Sequence, residues 1–148
     1  MYTCTVKVRG RAGTCLTCCA AGGVTGNVSH DKQKATDKCS IYDPEVSTWF
    51  PSAPMHHARA YAGAAAHDNC VYIVGGEDEF RRKTDTIEKF DGYYNRWSFV
   101  ARMRGGPKIG LAVAEYNDHL YIVGGFNKDS PYGPIFDDVE CYDILNQR

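Results

Sequence analysis

Short apolar runs closed by two glycines recur along the chain. CVYIVGG occupies residues 70–76 and LYIVGG residues 120–125, so YIVGG appears twice, 49 residues apart (125 − 76). A looser copy, LTCCAAGG at 16–23, lies 53 residues earlier (76 − 23). Each reads as a buried strand that turns sharply at its end, where glycine tolerates backbone angles that other residues avoid. In VYIV both alternating faces are apolar, as expected of a sheet covered on both sides. Three copies at a period near 50 predict a repeat protein in which each unit packs on its neighbours.

Aligned on Gly22-Gly23, Gly75-Gly76 and Gly124-Gly125, the copies agree further. TDKCSIYD (36–43), TDTIEKFD (84–91) and DDVECYD (137–143) each predict a half-buried strand ending in an aromatic residue and Asp, at Tyr42, Phe90 and Tyr142. Cys39, Ile87 and Val139 share one column, and Ile41, Lys89 and Cys141 another. Tryptophan follows the aromatic by seven residues at Trp49 and Trp97, and methionine follows six later at Met55 and Met103. Segments 60–67 and 110–116 precede the YIVGG runs through Asp68-Asn69 and Asn117-Asp118, which predicts two antiparallel hairpins. Each period therefore holds four short antiparallel strands, and no stretch has helical periodicity.

These features together resemble the kelch repeat: the glycine pair, the aromatic-Asp strand end, the tryptophan seven residues on, and Met55-x-x-x-Arg59. The strand phrase TIEKFDGYYNRWSFVARM (86–103) is most similar to the kelch half of BTB–kelch proteins. Lys108 is only an approximate equivalent of Arg59, one residue further from its methionine. The resemblance implies an all-β fold, a partial β-propeller of about three four-stranded blades that do not close. Its divisions would be 1–15, an N-terminal segment and possible first strand, then repeats at 16–57, 58–107 and 108–148, the last stopping before its tryptophan strand. Propellers carry 4–8 blades, so the chain reads as a fragment. Its open end faces, at about 25 cal/mol per Å² of apolar surface, should make it marginal and prone to associate.

Charge changes the picture by exclusion. Seventeen basic against 18 acidic residues give no basic field for nucleic acid. No run approaches the ~20 apolar residues of a membrane span, and the first residues lack a secretory signal's apolar centre. The expected setting is cytoplasmic, with reduced thiols. Of seven cysteines, Cys39, Cys70 and Cys141 fall in predicted strands, where cysteine acts as a small hydrophobe. Cys4, Cys15, Cys18 and Cys19 crowd the N-terminus, and Cys15-x-x-Cys18 has half a zinc site's spacing without a second pair. His56 and His57 are adjacent and would point to opposite faces of an extended segment, so they read as a surface pair rather than ligands. No P-loop, G-x-S-x-G elbow or H-E-x-x-H occurs, so neither an enzyme nor a cofactor is expected. A copper-radical oxidase also uses a kelch propeller, but its ligand set has no counterpart here.

Function is then expected in loops on a rigid scaffold. One loop set follows the glycine pairs (24–35, 77–84, 126–136) and the other the tryptophan strands (52–60, 101–109). By resemblance this face grips a short, often acidic, peptide of a protein partner. Arg59, Arg81, Arg82, Lys83 and Lys108 would supply the charge, with Asn127, Tyr61 and Tyr132 as contact residues. The 77–83 loop could equally be solvated and self-neutralising, because Arg81-Arg82-Lys83 follows Glu77-Asp78-Glu79. Tyr42, Phe90, Trp49 and Trp97 are expected in the core. The resemblance implies a substrate adaptor of a cullin-RING ubiquitin ligase, engaging the cullin only through BTB and BACK domains absent from this chain. An actin-binding cytoskeletal role is the alternative.

Overall fold

The computed structural model describes residues 4–9, 16–25, 34–127, 133 and 135–148, with the side chains of 4–9, 16–18 and 20 outside that description. Every described element is a strand, and pairing is antiparallel throughout. The first sheet runs β1 (Cys4–Arg9), β2 (Leu16–Ala21), β5 (Cys39–Asp43) and β6 (Thr48–Ser52), in that order. Between β2 and β5 a two-residue ladder joins β3 (Val24–Thr25) to β4 (Lys34–Ala35). The second sheet is β7 (Gly63–His67), β8 (Cys70–Val74), β9 (Thr86–Asp91) and β10 (Arg96–Arg102). The third is β11 (Ala112–Tyr116), β12 (His119–Val123) and β13 (Val139–Asp143). These are three blades in succession, two of four strands and one of three, and they do not close a ring.

The predicted local devices are in place. The turns before β8 and β12 hold Asp68, Asn117 and Asp118 at φ of 49°, 51° and 62°. The aspartate after each strand-end aromatic folds the next turn: Asp43 accepts from the Glu45 N–H at 2.9 Å, Asp91 from Tyr93 at 2.9 Å, and Asp143 from Asn146 at 2.9 Å. Its short side chain supplies the acceptor that an unpaired turn N–H needs. Val71 to Val74 are all buried, because one face of β8 meets the first blade and the other the third. Cys19, Cys39, Met55, Val71, Ile73, Phe90 and Trp97 form the first inter-blade core, and Val74, Ile87, Met103, Leu111, Leu120, Ile122 and Tyr142 form the second.

Two core expectations need correction. Phe90 and Trp97 are buried with ring centroids 5.2 Å apart, and the Trp97 indole donates to the Ala53 carbonyl of the preceding blade at 2.9 Å. Tyr42 and Trp49 repeat that pairing at 5.3 Å, yet Trp49 is 48% exposed and Tyr42 only half-buried. Each tryptophan is covered by the blade before it, and no described blade precedes the first. The other end shows the same bareness at Val123 and Val139. Cys39 is buried as expected, whereas Cys141 is exposed on that open third blade.

Candidate functional site

The loops between blades meet along seams, and one basic residue is built into each. The Arg59 backbone belongs to the first blade: its N–H donates to the Thr36 carbonyl at 3.0 Å and its carbonyl accepts from Gly23 at 2.7 Å. Its side chain crosses into the second blade and donates to the carbonyls of Gly75 (2.7 Å) and Thr86 (3.0 Å), to the Thr86 hydroxyl, and to Glu88 at 2.7 Å. Lys108 repeats this one blade on. Its carbonyl accepts from Gly76 at 2.9 Å, while its Nζ reaches Asp138 at 2.8 Å and Glu140 at 2.9 Å. Arg59 and Lys108 are 1% and 0% exposed. They therefore cannot present charge to a partner, contrary to the expectation from their loop positions: each is consumed in latching two blades together.

Glu88 is the other half of the first latch and was not singled out from sequence. Fully buried in the middle of β9, it also accepts the His56 N–H at 3.0 Å and faces Nδ1 of His56 at 3.0 Å and of His57 at 3.3 Å. The adjacent histidines thus converge on one carboxylate instead of diverging, because their segment bends over the end of the blade. Burial alone would raise the Glu88 carboxyl, but hydrogen bonding and charge from Arg59, with help from His56, outweigh it and hold the group below the usual carboxylate range. A depressed folded-state value contributes stability above the unfolded value of about 4.3, and that contribution vanishes as pH falls through the lower folded value. Wild-type protein should therefore lose stability as it is acidified below about pH 4.3, and Glu88→Gln should be flatter across that interval. Urea midpoints measured against pH check this.

The loop 77–84 closes on itself. Glu77 bridges Lys83 in the backbone, and Asp78 accepts from the N–H groups of Phe80 and Arg82, both at 2.8 Å. The Asp78 carboxylate also takes the Arg82 guanidinium at 2.7 Å, so the self-neutralising reading holds for Arg82. Its guanidinium lies 5.1 Å from the centre of the exposed Phe80 ring. Arg81 occupies the tip at φ 63°. Against this loop sits a recess of about 60 Å³ lined by Val24, Ala35, Ala60, Tyr61, Glu77, Asp78, Glu79 and Arg81. Drug-sized ligands need some 300 Å³ or more, so the recess suits one small side chain rather than a metabolite.

Tyr61 stands on the rim of that recess, 45% exposed and at φ 57°. The matching residue one repeat on is Gly110, at φ 63°. Tyrosine in the left-handed region costs roughly 1–2 kcal/mol that glycine avoids. Asn127, on the next loop, has a buried side-chain oxygen without a hydrogen-bond partner among the described residues. Tyr132, Cys15 and most of the 24–35 loop lie outside the described residues, as do the side chains of Cys4 and Cys18. Among the described residues His67, Glu115 and Asp118 approach one another closely enough to hold a cation, at the hairpin ends of the second and third blades. No described helix is long and apolar enough to cross a membrane.

The family profile described as "Kelch motif" matches residues 58–104 and 107–148. Alpha-scruin of Limulus polyphemus is 26% identical over 110 residues, which cover 74% of this chain and 12% of that protein. Kelch-like protein 9 of Mus musculus is 31% identical over 104 residues, covering 68% and 17%. The chain thus spans less than a fifth of these curated relatives. The solved structure of YjhT superposes with a TM-score of 0.78 at 15% identity, covering 97% of this chain and 49% of that one. With both repeat matches and the blade architecture in agreement, this chain belongs to the kelch-repeat family and forms a partial kelch propeller.

Proposed function

We propose that the face carrying Tyr61 and the 77–84 loop binds a short extended segment of a partner protein. A small side chain would enter the recess lined by Val24, Ala35, Ala60 and the 77–81 turn, with a carboxylate alongside to meet Arg81. The observation that carries the reading is Tyr61: an exposed aromatic ring held in a backbone conformation for which the next repeat uses glycine. Strain of that kind persists where the side chain has work to do. Arg59 and Lys108 lie inside the fold and Arg82 is held by Asp78, so the basic residue on the recess wall is Arg81. Joined to BTB and BACK domains in the cytoplasm, such a face would select substrates for a cullin-RING ubiquitin ligase.

Selection from a displayed library of short peptides tests the reading. Enriched peptides should share a carboxylate beside a small residue, and Tyr61→Gly or Arg81→Glu should weaken them at least tenfold. Tyr61→Gly should leave the protein as stable as before or up to about 1 kcal/mol more stable, because backbone strain is relieved while glycine's extra unfolded-state freedom offsets part of the gain. Absence of enrichment, or selected peptides indifferent to both changes, would overturn the site. Recovery of a cullin by a BTB-linked chain, against co-sedimentation with actin filaments, separates the adaptor role from the cytoskeletal one.

A further inference from the structure

The seam between the second and third blades carries a further cluster, at the opposite end of β11 from Lys108. His67 closes β7 of the second blade, while Glu115 and Asp118 come from β11 and the hairpin turn of the third. Nδ1 of His67 lies 3.3 Å from the Glu115 carboxylate and Nε2 3.5 Å from that of Asp118, with Asp68 at 3.9 Å. A neutral imidazole has one N–H, so it can donate to only one of the carboxylates that face its two nitrogens. Elsewhere carboxylates in this fold meet fixed cations: Glu88 meets Arg59, and Asp138 and Glu140 meet Lys108. Among the described residues no lysine or arginine forms an ion pair with Asp68, Glu115 or Asp118, and this cluster is short of positive charge. Nor does the repeat impose it: aligned on the glycine pairs, His67 falls with Tyr116 and Glu115 with Ala66.

We propose that His67, Glu115 and Asp118 bind a divalent cation of the zinc class, which fastens the second blade to the third. One donor atom from each residue lies within 4.8 Å of the others. Zinc holds imidazole nitrogen and carboxylate oxygen at about 2.0–2.2 Å, so rotating the two carboxylates through roughly 1 Å closes the set around it. Asp118 has the room for that, its side chain being 48% exposed. Glu115 accepts the Asp118 N–H at 3.2 Å, a contact that holds its carboxylate toward the seam. The donor set also selects the ion: one imidazole with two carboxylates suits zinc, cobalt or manganese, whereas calcium and magnesium take oxygen ligands throughout. A fourth position is left for water or for Asp68. All three side chains are partly exposed, so the ion can arrive from solvent.

Cobalt(II) titrated into the full chain, stripped beforehand with a chelator and kept reduced, tests this because its spectrum reports the ligand type. One equivalent should bind with visible d–d absorption and without the near-ultraviolet sulfur-to-metal band that cysteine ligands give. Zinc should displace the cobalt and raise the melting temperature. Glu115→Gln and Asp118→Asn should each weaken uptake at least tenfold. Asparagine tolerates the left-handed backbone at position 118, so the second variant keeps the fold. No saturable uptake, uptake seen only with a sulfur band, or an affinity indifferent to both changes would overturn the site. A His67 ring that takes up a proton on acidification, in a chain that binds no cobalt, would make the cluster an imidazolium pair only and overturn it equally.

Discussion

Arg59→Ala should destabilise the chain by about 3–5 kcal/mol, a large part of the 5–15 kcal/mol available to an ordinary domain. The change deletes a side chain only 1% exposed that bonds two carbonyls, a hydroxyl and a carboxylate of the next blade. The cost arises less from the lost attraction than from what stays behind. Glu88 remains buried and charged beside His56 and His57, and the carbonyls of Gly75 and Thr86 each lose a donor, Thr86 keeping the Gly75 N–H at 3.1 Å. Equilibrium urea unfolding reads the loss directly. Replacing both partners, Arg59→Met with Glu88→Leu, should recover most of it, because apolar residues of similar volume leave no orphaned charge. A single Arg59→Ala costing under about 1 kcal/mol would mean that the latch is a surface pair in effect, worth what exposed pairs are worth. Lys108→Ala should cost less than Arg59→Ala, since its partner Asp138 is 41% exposed and can turn to water.

How far these residues could be read in advance follows from what kind of signal each one carries. Strands, glycine turns and the hairpins at Asp68-Asn69 and Asn117-Asp118 depend on local chemistry repeated at a fixed period, and these were legible. The aspartates at 43, 91 and 143 even announce the turn that follows them. Arg59 and Lys108 were misplaced because a basic residue in a loop ordinarily points to solvent, and burial across a seam is not a local property. A signal existed: Glu88 and Glu140 share one column of the repeat, and a basic residue follows the preceding methionine at nearly constant offset. The first repeat has Ser40 in that column, and no described basic side chain enters there. Trp49 was placed in the core by analogy with Trp97, which holds only where a blade lies in front. The strain at Tyr61 was invisible except through its alignment with Gly110.

Gly75→Ala should cost about 3–4 kcal/mol, against about 1–2 kcal/mol for Gly124→Ala. Both glycines occupy the left-handed region, at φ 63° and 62°, so an alanine pays the same local penalty at either. They differ in what the new methyl meets. At Gly75 it would lie 2.6 Å from the Lys108 carbonyl oxygen and 2.8 Å from Leu111, whereas at Gly124 the nearest atom is the Phe136 carbonyl oxygen at 3.3 Å. The Lys108 carbonyl cannot retreat freely, because it accepts the Gly76 N–H at 2.9 Å while its side chain is held by Asp138 and Glu140. Relief at Gly75 therefore strains the latch of the next seam, and a local steric change becomes a loss of contact between blades. Gly22→Ala should behave like Gly75→Ala, its methyl falling 2.7 Å from the Arg59 carbonyl oxygen. Urea midpoints ordering Gly124→Ala well above the other two would support a shared seam in which the glycine pair and the basic residue are one unit. Equal losses at all three would reduce the pair to a backbone preference and detach it from the packing of blade on blade.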